Sequence, residues 1–157
     1  MPYDAYQLMR QALKEAEQAS SEGEVPVGAV LATLDGNVIA SAHNQPVARC
    51  DPCAHAEILA IRKAARAFRN YRMPRTVLAI TIEPCPMCMG AAIHARIARV
   101  IFGAADAKAG AAGSVYDLAG DGRLNHRIEV VSGILENECR ALMQEFFRSR
   151  RSRVRSG

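Results

Sequence analysis

Apolar residues along this chain change period again and again, from the three-to-four-residue spacing of a helix to the two-residue spacing of a strand. That alternation restricts the chain to folds in which helices cover a sheet. From Tyr3 to Ser20, residues Tyr6, Met9, Leu13 and Ala16 recur at helical intervals between Lys and Glu, which predicts an amphipathic helix ended by Ser20, Ser21 and Gly23. Two apolar runs, Val30 to Leu34 and Val38 to Ala40, flank Asp35-Gly36, a turn dipeptide, so 27–42 reads as a β-hairpin. Asn44 to Pro52 holds two prolines and reads as irregular. A helix follows from about His55 to Phe68.

Thr76 to Ile82 is an apolar strand halted by Glu83-Pro84, and a helix opens at Cys85, where Pro86 suits a first turn that needs no amide donor. A strand over 99–103, an Ala/Gly-rich loop over 106–113, a strand over 128–131 and a helix from Ile134 to about Arg151 complete the order. The expectation is a three-layer α/β/α sandwich around a central, mixed five-stranded sheet. At 157 residues, half of them hydrophobic, residues 1–157 are expected to form a single domain.

No stretch approaches the roughly 20 apolar residues of a membrane span, and the N-terminus lacks the pattern of a signal peptide, so a cytoplasmic location with no membrane partner is expected. Four of the five cysteines sit in two Cys-x-x-Cys pairs, Cys50/Cys53 and Cys85/Cys88, a usage that points to metal or redox chemistry in a reducing compartment. Net charge is +4, yet residues 148–157 carry Arg148, Arg150, Arg151, Arg153 and Arg155 without an acid, leaving −1 for the rest. A basic C-terminal tail of this kind attracts nucleic acid or simply adds solubility.

Two clusters carry the chemistry: His55-Ala56-Glu57 and Pro84-Cys85-Pro86-Met87-Cys88, each at the start of a predicted helix. A helix N-terminus lowers the pKa of a thiol and stabilises anions. Cys85 and Cys88 share a helix face, so one imidazole and two thiolates offer zinc three protein ligands and leave a fourth position open, a catalytic arrangement rather than a structural one. Glu57, two residues from the imidazole, can move protons without ligating the metal. A four-sulfur structural zinc module from both cysteine pairs is the non-enzyme alternative. The 31 residues between the pairs exceed the usual spacing of about 15 to 20. A thioredoxin-like redox pair and a core histidine beside buried cysteines are the remaining readings.

His-x-Glu followed by Pro-Cys-x-x-Cys is the signature of zinc nucleobase deaminases. Further stretches extend the match: 24–30 (Glu-Val-Pro-Val-Gly-Ala-Val), Asn44-Gln45-Pro46, 93–97 (Ile-His-Ala-Arg-Ile), Phe102-Gly103-Ala104, Asp106-Ala107-Lys108, 110–114 (Gly-Ala-Ala-Gly-Ser) and Asn125-His126. From about residue 5 to 150 the chain resembles the bacterial tRNA-specific adenosine deaminases of the TadA type, within the cytidine/deoxycytidylate deaminase superfamily.

The resemblance implies a cytidine-deaminase-like fold and a hydrolase acting on the C–N bond of a cyclic amidine. It implies conversion of the wobble adenosine of a tRNA anticodon, chiefly of an arginine tRNA, to inosine by a homodimer with one Zn2+ per subunit. Zinc-activated water would attack C6 of adenine, with Glu57 shuttling the proton. The implied ligands are His55, Cys85 and Cys88, and the dimer would form through the Cys85 helix and its neighbours. Asn44 would hydrogen-bond the flipped base, Val27 and Ala56 would line its pocket, and the backbone near Pro84 would stabilise the intermediate. Asp106 and Lys108 would meet neighbouring nucleotides, and Phe146, Arg148 and Arg150 the RNA. Free nucleobase or nucleoside deamination, of guanine or cytosine, is the alternative enzyme reading. Position 53 is Cys where the family usually has Thr, and it reads as a small buried hydrophobe.

Overall fold

The computed structural model describes residues 2–156, with side chains to Val154. Helix α1 (Ala5–Ser21) is capped by Asp4, whose carboxylate accepts from the Tyr6 and Gln7 amides at 3.0 and 3.2 Å. Its buried face is Ala5, Leu8, Met9, Ala12, Ala16 and Ala19, whereas Tyr6 is exposed. The expected stripe through Tyr6 and Leu13 is thus rotated toward small residues. The reason lies in β1 (Gly28–Thr33), which α1 approaches so closely that a Cβ at Gly28 would lie 1.9 Å from the Ala12 carbonyl oxygen.

Strand β2 (Val38–His43) completes the hairpin, β3 (Thr76–Ile82) and β4 (Arg99–Ala104) form the centre, and β5 (Glu129–Val131) the far edge. The order is β2-β1-β3-β4-β5: β1 pairs antiparallel with β2 and β3, while β3/β4 and β4/β5 are parallel. This is the expected mixed five-stranded sheet. Alternate residues feed two cores, as a pleated strand requires. Val30, Val77, Ala79 and Ile101 pack with Leu8 and Met9 of α1 and Cys139 of the last helix. Leu31, Leu78, Ile80, Val100 and Phe102 pack on the other face with Leu59 and Ala60 of α3 (Ala56–Phe68) and Met89 and Ala92 of α4 (Pro86–His94).

Two elements depart from expectation. Residues 44–52, read as irregular, contain a one-turn helix, α2 (Pro46–Arg49). Pro46 suits its first position, and the buried Glu24 accepts from the free Val47 and Ala48 amides at 3.1 and 2.8 Å. The basic tail is also not a tail: α5 (Glu136–Ser156) carries it as its last turns. Arginine is a good helix former, and cations at a helix C-terminus complement the macrodipole. Arg155's side chain and Gly157 lie outside the described residues. No described helix is long and apolar enough to cross a membrane.

Candidate metal centre

Helices α3 and α4 lie on the same sheet face, and each begins with a residue in extended conformation, His55 and Cys85. That shared start brings the two sequence clusters together. His55 Nδ1 lies 3.7 Å from Cys85 Sγ and 3.5 Å from Cys88 Sγ, and all three donors lie within 4.8 Å of one another. Tetrahedral zinc, with bonds of about 2.3 Å to sulfur and about 2.0 Å to nitrogen, sets sulfur and nitrogen about 3.6 Å apart. The triangle's two nitrogen–sulfur edges therefore have the lengths of a zinc site. The hydrogen bond with Cys88 holds the Cys85 thiol down to about 4, with His55 adding to the effect against partial burial. The same contact, joined by burial, pushes Cys88 up. The Cys85 hydrogen bond raises His55.

Glu57, on the first turn of α3, is buried, and its side chain hydrogen-bonds Cys88. Burial pushes its carboxyl above the usual range, which strengthens it as a proton acceptor. Beside it, Asn44 Oδ1 accepts from the Ala56 amide at 2.8 Å, and the Asn44 amide donates to the Val27 carbonyl at 3.1 Å. Two hydrogen bonds thus tie Val27, Asn44 and Ala56 into one wall next to His55. His43, preceding Asn44, is clamped through its two ring nitrogens by Glu15 of α1 and Glu22, the helix's C-cap, at 2.8 and 2.9 Å.

The loop after β4 reaches the residue preceding Cys85. Asp106 Oδ1 accepts from the Lys108 and Ala109 amides at 3.0 and 3.2 Å, and Lys108 is exposed. The Pro84 carbonyl accepts from Ala111 at 2.8 Å. Sequence reasoning assigned nothing to Glu83, yet it organises this loop. Its buried carboxylate accepts from the amides of Asp106, Ala112 and Ser114 at 3.1, 3.0 and 3.0 Å and from the Ser114 hydroxyl. A Cβ at Gly110 would lie 2.3 to 2.5 Å from that carboxylate. Burial alone would raise the Glu83 pKa, but these donors outweigh it and hold it below the usual range. The one signal in the sequence was an acid closing an apolar strand directly before Pro84.

Glu83→Gln is expected to cost about 2–3 kcal/mol at neutral pH, because an amide nitrogen then faces buried donors. A depressed carboxylate stabilises the fold above its ordinary titration range and loses that effect as pH falls through its lowered value. Urea titrations should therefore show the gap between wild type and variant narrowing in acid. An equal gap at both pH values would remove the anionic role of Glu83.

Farther out, the structure separates the α5 residues from the metal triangle. Phe146 is 7% exposed, lies edge-to-face with Phe147 and underlies the Arg150 guanidinium, which donates to the Gly23 carbonyl at 2.7 Å. Arg148 pairs with Glu145 of its own helix at 2.8 Å. Phe147 is the exposed ring, and it lines a cavity of about 630 Å³ with Lys108, Arg140, Arg148 and Arg151 between α5 and the ends of β3 and β4.

Cys53 is exposed rather than a buried hydrophobe, because the Asp51 turn that accepts from its amide at 2.9 Å points it outward. Cys50 is exposed as well. Among the described residues, His55, Cys85 and Cys88 form the one cluster of potential metal ligands, and neither Cys50 nor Cys53 belongs to it. Cys50→Ser should leave zinc content and turnover at wild-type levels. Loss of the metal by atomic emission spectroscopy would instead support the four-sulfur module.

Residues 2–104 match the zinc-binding region of cytidine and deoxycytidylate deaminases, and the chain belongs to that family of zinc-dependent deaminases. The tRNA-specific adenosine deaminase of Haemophilus influenzae is 46% identical over 144 residues, 92% of this chain and 83% of that protein. The tRNA-specific adenosine deaminase of Bacillus subtilis is 44% identical over 148 residues, 94% of this chain and 91% of that protein. A structure solved in a study of A-to-I editing by tRNA:A34 deaminases at the wobble position of transfer RNA superposes with a TM-score of 0.83 at 41% identity, covering 87% of this chain and 98% of that one. Within the family, these identities place the chain among the tRNA-specific adenosine deaminases.

Proposed function

We infer that the protein hydrolyses the wobble adenosine of a tRNA anticodon to inosine, with a single zinc per subunit held by His55, Cys85 and Cys88. The observation that carries this reading is the donor triangle with the buried Glu57 carboxyl against it, in a chain 46% identical to a tRNA-specific adenosine deaminase. Zinc held there supplies the Lewis acidity that makes water nucleophilic near neutral pH. Glu57 takes one proton from the attacking water and delivers it to the purine ring nitrogen, then takes the proton of the new C6 hydroxyl and delivers it to the amine, which leaves as ammonia when the C6–N bond breaks. Asn44, its oxygen engaged by Ala56, turns its amide N–H groups toward the base. Val27 and Ala56 wall the purine, and the backbone around Pro84 steadies the tetrahedral species.

The base must leave its stack, and an anticodon loop offers bases already partly splayed. Asp106 and Lys108, on the loop braced by Glu83, meet the flanking nucleotides. Arg148 and Arg150 meet phosphates, with the Phe146 ring beneath Arg150. The chain works as one domain, in the cytoplasm, as a homodimer through α4 and its neighbours, and its substrate is an arginine tRNA. Sequencing tRNA treated with the purified zinc protein should show adenosine read as guanosine at the wobble base, and no change at that position would sink the reading.

A further inference from the structure

No acidic residue occurs between Glu57 and Glu83, while Arg62, Lys63, Arg66, Arg69, Arg72 and Arg75 all fall in that interval and are exposed. With the five arginines of 148–155 they make up eleven of the 20 Lys and Arg residues, so the remaining nine stand against 16 acids. The protein is acidic except on two cationic surfaces. One is α5, beside Lys108. The other is the C-terminal half of α3 and the loop to β3.

Arg62 and Arg66 lie four residues apart on one face of α3, a spacing at which like charges repel, and Arg69 follows as its C-cap. The helix macrodipole accounts for cations in the last turn, but not for Arg62 or for Arg72 and Arg75 beyond the helix. Among the described residues none of the six forms an ion pair. Lys63 donates to the Ser41 carbonyl at 3.0 Å, and Arg72 bonds the Tyr71 hydroxyl at 3.1 Å. Phe68 and Tyr71 stand exposed among them, at 41% and 65%, and the Arg72 guanidinium lies 5.4 Å from the Tyr71 ring centroid. Uncompensated guanidinium groups interleaved with open aromatic rings match an RNA strand, which presents phosphates and stackable bases together. A lipid surface would need a broader apolar face. Since α3 starts at the metal triangle and runs 13 residues, its far end lies about 20 Å from the chemistry.

We propose that the end of α3 and the α3–β3 loop form a second RNA-binding surface that grips the tRNA backbone outside the anticodon loop while the loop occupies the zinc site. This rests on the tRNA reading above. The test is the triple variant Arg62→Gln, Arg66→Gln, Arg72→Gln, prepared as the zinc protein. Its Kd for full-length tRNA should rise at least tenfold at about 0.1 M salt, and the slope of log affinity against log salt should fall by about two to three. Its kcat on tRNA and its turnover of a single-stranded oligonucleotide carrying only the loop should stay within twofold of wild type. Unchanged tRNA affinity and salt slope would overturn the proposal, as would an equal loss on the loop oligonucleotide. Lost binding to anionic phospholipid vesicles with tRNA binding intact would overturn it in favour of a membrane. If wild type deaminates no tRNA, the wobble reading fails, while the Kd comparison, which needs no turnover, still decides the surface.

Discussion

Glu57→Ala is expected to keep a full complement of zinc and lose at least about a thousandfold in kcat on tRNA. The retained metal follows from the donor set, in which Glu57 does not take part. The lost turnover follows from its position: the carboxyl is sealed from solvent against Cys88, and burial keeps its proton affinity high. No other described carboxyl shares that niche, so water cannot easily take over the transfer. Glu57→Gln should fail equally, because an amide of the same shape can donate but cannot collect a proton. Inosine formation and zinc content measured on the same preparation check both halves. Activity within tenfold of wild type would remove the shuttle role, and loss of zinc would mean that the carboxyl holds the site together.

His55→Ala, Cys85→Ser and Cys88→Ser should each abolish detectable turnover and release the metal. These side chains come from the starts of two separate helices, so deleting any one leaves two donors that cannot close the triangle. The fold should survive, because Leu59 and Ala60 of α3 and Met89 and Ala92 of α4 remain anchored in the sheet core. Metal binding adds stability by mass action, about 4 kcal/mol when zinc stands at a thousand times its Kd. Chelated wild type and the ligand variants should therefore melt together, below the zinc form and still cooperatively. Acid should likewise release zinc, since each donor must shed its proton to bind. A ligand variant that melts with the zinc form and retains metal would show that the ion sits elsewhere.

Much of this architecture was readable in the chain because it rests on local periodicity. The strands alternate, the helices repeat every three to four residues, and the His-x-Glu and Cys-x-x-Cys clusters announce themselves by spacing. What escaped depends on distant partners. Helix α2 exists because Glu24, more than 20 residues earlier, takes its free amides. Glu83 organises a loop whose amides lie 23 to 31 residues downstream. The buried side of α1 shifted from Tyr6 to alanines because β1 comes close to the helix backbone, a fact that no hydropathy pattern encodes. Cys53 faces outward because of one turn, although its composition suits an interior.

The tight seat of Gly28 under α1 reaches further than packing. The residue before it is Val27, whose carbonyl holds Asn44, and its own amide donates to Thr81 two positions ahead of Glu83. A methyl group at 28 would have to lift the helix or depress the strand, and the strand begins directly after Val27, which we propose to wall the purine. If Val27 walls the base, a screen for altered base preference should recover changes along the buried Ala12, Ala16 and Gly28 seam, from which the position of Val27 is set.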